Sequence, residues 1–129
     1  LSGELMAEGG LDHLDLSLWD VTKLPEGAAD GDAPLVSHFV DLPRGGTRLG
    51  IAGKIGSGPT ATAALATGVD FVVVGRAAIA DQRIAERILA DAHYPGPSFP
   101  VSKQQLRDNC VGEPFVEYFS TGWPQLVAS

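Results

Sequence analysis

Leu49-Gly50-Ile51-Ala52-Gly53-Lys54 and Phe71-Val72-Val73-Val74-Gly75-Arg76 share one plan: a short apolar run, then a glycine, then a basic residue. Between them, Thr60 to Thr67 is rich in alanine, at Ala61, Ala63, Ala64 and Ala66. Apolar run, glycine turn and helix, then the same again, is the pattern of successive βα units on one parallel sheet. If the two strands are neighbours, both Gly-basic pairs leave the sheet at the same carboxyl edge. Backbone N–H groups and two cations could then converge on one phosphate. Glycine lets the backbone approach an anion closely, and arginine can grip a phosphate through two parallel hydrogen bonds. The plainer alternative for Gly75-Arg76 is a tight turn with its arginine in solvent.

Outward from this pair, the spacing predicts a helix end over Leu1 to Glu8, closed by Gly9-Gly10. A first strand is expected over Leu11 to Leu18, where Leu14, Leu16 and Leu18 alternate with Asp15 and Ser17. Asp20 to Pro34 is rich in Gly, Asp, Pro and Ala and reads as a long surface loop, a length that is often functional. Leu35 to Leu42 is expected to form a short helix or turn. The second strand is Leu49 to Ala52, and Ser57 or Gly58 caps a helix from Thr60 to Thr67, with Pro59 suited to its first turn. The third strand, Asp70 to Val74, is continuously apolar after its aspartate and is expected to be buried on both faces. Ala77 to Ala80 reads as a turn, and Asp81 as the cap of a helix running to about Ala90. In the tail, Ser102 to Asn109 suggests a short helix. Phe115, Tyr118, Phe119 and Trp123 recur at helical spacing, as a stripe able to seal an apolar surface. The expected division is 1–93, partial βα units with their phosphate loops, and 94–129, a tail packed on them.

The chain has 129 residues, 44% of them hydrophobic, enough for one domain with a real core. Its formal charge of -7 leaves no basic stripe for nucleic acid, and makes Lys54 and Arg76 local cations in an acidic protein. A single cysteine, Cys110, excludes an internal disulfide and fits a reducing, cytoplasmic setting. No stretch approaches the roughly 18 to 20 apolar residues of a membrane span, and no basic-then-apolar leader opens the chain. Leu1 as the first residue points to a natural start farther upstream. Three strands are legible, whereas a closed eight-stranded α/β barrel needs about 250 residues. The chain is therefore expected to be a small open α/β domain or the last third of a barrel, in which case open edges and faces call for a partner.

Other chemistry is weakly represented. A nucleotide-triphosphate loop is excluded, because Arg48 stands five positions before Gly53 and Ile55 follows Lys54 where Ser or Thr is required. His13, His38 and His93 lack ligand spacing, and Cys110 lacks a basic neighbour, which suggests a buried or inert thiol. Ser17 and Asp20 end the first strand and could face a ligand; Asp20 could equally tie down the loop that follows. Trp19 could cover a flat cofactor or fill the rim of a barrel. No catalytic carboxylate pair or Ser-His-Asp set can be assembled.

Three segments carry a family resemblance: Gly50-Ile51-Ala52-Gly53-Lys54-Ile55, Ala66-Thr67-Gly68, and Val69 through Ala77. With Leu14-Asp15-Leu16-Ser17-Leu18-Trp19-Asp20, they make nearly the whole chain resemble the carboxyl-terminal part of the old yellow enzyme family of NAD(P)H-dependent flavin oxidoreductases. The resemblance implies strands six to eight of a (β/α)8 TIM barrel that binds FMN at its carboxyl face. Carried over by position, Ala52, Gly53 and Lys54 end the seventh strand and Val74, Gly75 and Arg76 end the eighth, together holding the flavin phosphate. Lys54 departs from the small or apolar residue of many relatives, and Trp19 to Gly46 is longer than the usual link. The family's substrate-anchoring His-His or His-Asn pair and its proton-donating Tyr lie earlier in the barrel and have no counterpart here. The implied parent takes hydride from NADH or NADPH onto FMN and reduces an activated alkene; the chain alone is expected to have little or no such activity. Two alternatives stay open: the phosphate-binding segment of another TIM-barrel enzyme, an isomerase or aldolase, and a non-catalytic α/β fragment that self-associates. Expected partners are therefore FMN, a small-molecule substrate and either the missing part of a barrel or a second copy, with no nucleic acid and no membrane.

Overall fold

The computed structural model describes residues 1–29 and 31–128. The chain divides into two units: Leu1–Ile55 with Thr60–Val74, and Gly56–Pro59 with Gly75–Ser129.

The first unit holds a three-stranded parallel sheet of β1 (His13–Ser17), β2 (Arg48–Ala52) and β3 (Phe71–Val73), in the order β1-β2-β3. Helix α1 (Ser2–Ala7) precedes it, and α2 (Ser37–Val40) lies on the chain between β1 and β2. Helix α3 (Gly58–Leu65) connects β2 to β3. Period-two alternation decides how the strands lie. Leu16, Leu49 and Ile51 are buried, whereas His13, Asp15, Ser17 and Arg48 are exposed. Gly50 is paired with Phe71 across the ladder, and a Cβ at position 50 would collide with the Phe71 ring. Asp70 pins the start of β3: its Oδ2 accepts from the Leu49 N–H at 2.7 Å and from Arg44 at 2.7 Å. Its own N–H donates to the Leu49 carbonyl at 2.7 Å. One carboxylate thus sets the register of two strands.

The third strand corrects an expectation. Phe71, Val72 and Val73 are each half-buried rather than enclosed on both faces. The cause is position: β3 pairs only with β2, so one side of its ladder ends the sheet. The expected long loop is present, since no helix or strand lies among the described residues between Ser17 and Ser37. Its Asp30 lies outside the described residues. The helix expected from Thr60 to Thr67 starts two residues earlier and ends at Leu65, closed by Gly68 at φ +99.

The second unit is built from α4 (Arg76–Ala80), α5 (Ile84–Ala90), α6 (Lys103–Asp108) and α7 (Glu113–Gly122). Ala80, Val101, Leu106, Val116, Leu126 and Val127 form its core, with Phe119 and Trp123 packed against it. Ala77 to Ala80, expected as a turn, is helical because Ala77 and Ala80 are both buried at one-turn spacing. Asp81 does not cap α5, whose N-cap is Arg83. Its buried carboxylate instead accepts from the Arg83 N–H (3.1 Å) and the Tyr94 hydroxyl (2.8 Å) and pairs with Arg87 (3.2 Å). The hydrogen bond to Asp81 raises the Tyr94 pKa, and the Arg87 guanidinium lies over the Tyr94 ring at 5.7 Å. Ser102 caps α6 by accepting from the Gln105 N–H at 3.0 Å.

The aromatic stripe of the tail divides. Phe119 and Trp123 join the core, whereas Phe115 and Tyr118 stay exposed, because the buried face of α7 is centred on Val116. Cys110 is exposed, at φ 61, rather than buried, since it occupies the turn between α6 and α7. No helix among the described residues is long and apolar enough to cross a membrane.

Candidate functional site

Ser17, Ala52 and Val73 are partners in register, so the three strands end level with one another. Beyond that line the ends of β1 and β2 are knitted together. The Leu18 N–H donates to the Ala52 carbonyl at 2.9 Å, and the Val21 N–H to the Gly53 carbonyl at 3.3 Å. Between them the chain reverses through Trp19, at φ 63, with the Asp20 N–H donating to the Leu18 carbonyl at 2.7 Å. This is the rarer, strained form of the three-residue γ-turn.

Gly53 is explained by this crossing. Its φ is +152, and a Cβ there would meet the Asp20 nitrogen at 2.8 Å and the Trp19 carbonyl carbon at 3.0 Å. Only glycine lets the two backbones pass so closely. Lys54 follows at φ 53, and its Nζ lies 2.9 Å from Asp20 Oδ2. Asp20 Oδ1 accepts from the Thr22 N–H at 2.9 Å and the Thr22 hydroxyl at 2.7 Å. Lys54 first, and Thr22 second, hold the Asp20 carboxyl far below the usual carboxylate range. Of the two roles open to Asp20, tying down the following loop is realised. The Lys54 charge is directed onto that aspartate.

Val74 is half-buried, and Gly75 and Arg76 are exposed. Gly75 is the N-cap of α4 at φ -94, and a Cβ built on it meets no atom within 4 Å. Neither crowding nor left-handed backbone requires glycine there. Arg44, Arg83, Arg87 and Arg107 each face a carboxylate, whereas Arg48, at the start of β2, and Arg76, after β3, have no such partner among the described residues. Open space beside an uncommitted guanidinium fits a phosphate; Lys54, charge-matched by Asp20, supplies no such uncompensated cation.

Ser17 and Trp19 are both exposed at the end of β1, the indole at 73%. His13 makes an edge-on contact with Phe71, 5.9 Å between ring centroids, and no group of three or more His, Cys, Asp or Glu that could hold a metal exists among the described residues. At the opposite, amino end of the strands is an open cleft of about 700 Å³, lined among others by Asp12, His13, Arg48, Asp70 and Phe71. The polar first residues of β1 and β2, His13 and Arg48, were its signal in the sequence.

Compared with protein-family models, with curated proteins and with solved structures, the chain matches none.

Proposed function

We propose that the chain is the FMN-gripping portion of an NAD(P)H-dependent flavin oxidoreductase of the old yellow enzyme type, contributing the last three strands of a TIM barrel. The observation that carries this is the order β1-β2-β3, all parallel, with Ser17, Ala52 and Val73 ending level and a Gly-basic pair following each of the last two strands. Consecutive parallel neighbours are what a singly wound barrel requires. Arg76 is the residue proposed to hold the flavin phosphate, with Gly75 and Val74 leaving room beside it. Ala52, Gly53 and Lys54 are proposed to serve the same cofactor, Lys54 by cancelling the charge of Asp20 so that a phosphate is not repelled. FMN, when bound, carries hydride from NADH or NADPH to an activated alkene.

The sheet face bearing His13, Asp15, Ser17 and Arg48 is exposed, although parallel sheets are almost always covered on both faces. The cover is proposed to be the remainder of a barrel. The same face also favours a second reading, a non-catalytic fragment that buries it against another copy. Dialysis of the purified chain against FMN, followed by an absorbance scan and light scattering, separates the two. A retained flavin spectrum supports the oxidoreductase portion; a colourless dimer supports self-association and contradicts it.

A further inference from the structure

Trp19 bears two costs at once. An indole left 73% exposed forgoes the stabilisation that burial of a large aromatic provides. A φ of 63 is an outlier for so bulky a residue. The surroundings enforce both. Leu18 and Val21 are bonded to the end of β2, Asp20 is closed onto Leu18, and the Asp20–Lys54 pair at 2.9 Å locks the turn from the other side. Trp19, Gly53 and Lys54, all left-handed, therefore stand together where β1 and β2 end. Strain persists only where it is over-determined, and it gathers at ligand sites. No ring or cation of the described residues stacks on Trp19.

We infer that Trp19 is a flavin-binding residue, its indole providing the stacking face for the flat ring system at the carboxyl edge of the sheet, an assignment that rests on the FMN reading above. A planar, electron-poor ring is what an outward-held indole suits best. Stacking concerns the ring and not the phosphate, so its loss weakens FMN and riboflavin alike.

The test uses the full chain and two probes, FMN and riboflavin, with binding read by flavin fluorescence polarisation and stacking read by tryptophan emission. Trp19→Leu should weaken both probes about tenfold and abolish most of the flavin-induced quenching, while Trp19→Phe keeps most of the affinity. Trp19→Gly relieves the left-handed backbone, so it should match or exceed the parent in thermal stability while binding flavin as poorly as Trp19→Leu. That combination separates a binding role from a structural one. Unchanged affinity for both probes in Trp19→Leu and Trp19→Gly overturns the assignment and leaves the FMN reading standing. Absence of FMN binding to the parent chain overturns both.

Discussion

After β2 the chain enters a crowded turn. Gly53 passes within 3 Å of the Trp19-Asp20 backbone, were it given a Cβ, and Lys54 is paired to Asp20 at 2.9 Å. After β3 the chain enters open space: Gly75 has no neighbour for a Cβ within 4 Å, and Arg76 meets no carboxylate among the described residues. Two segments of the same sequence pattern thus have different physical reasons for their glycines. One glycine satisfies its own fold. The other meets no crowding inside the chain, which leaves room for a ligand beside Arg76.

Alanine substitution breaks or sharpens this contrast most strongly. Gly53→Ala must force a left-handed, overlapping residue and should lose about 2–4 kcal/mol of stability. Gly75→Ala should stay within about 0.5 kcal/mol of the parent. Urea unfolding measures both, and equal losses would erase the distinction. Smaller effects follow from the Asp20–Lys54 pair. Its depressed pKa means that Asp20 stabilises the fold above about pH 4, and that this contribution is lost as the pH falls through the folded-state value. Lys54→Met should move the Asp20 titration up toward the ordinary carboxylate range, followed by carboxyl-carbon NMR, and should flatten the acid limb of stability against pH. A titration unmoved by Lys54→Met would show that Thr22 alone holds the carboxylate. Smallest of all, Lys54→Met should weaken FMN by about two- to fivefold and leave riboflavin unchanged, measured by polarisation, because the Asp20 charge is then no longer cancelled.

Much of this architecture was legible in the residues. Alternating leucines marked β1, and the two glycine-terminated apolar runs marked β2 and β3, because period two and a glycine exit are local signals. What escaped was tertiary. Val72 and Val73 look like the interior of a sheet, and only pairing makes β3 an edge. Asp81 sits where a helix cap belongs, yet it serves Tyr94 and Arg87, whose approach no local spacing announces. Lys54 and Arg76 were equivalent as letters; the partner of Lys54 is thirty-four positions away at Asp20. The left-handed turn at Trp19 was invisible, since tryptophan carries no preference for that conformation.

Calorimetric titration of FMN and riboflavin into the parent chain and Arg76→Ala tests the central claim most directly. FMN should bind more tightly than riboflavin to the parent, and Arg76→Ala should remove that advantage, about 1–3 kcal/mol, while leaving riboflavin unchanged. Equal affinity of the parent for the two ligands, or an equal loss of both in Arg76→Ala, would contradict it.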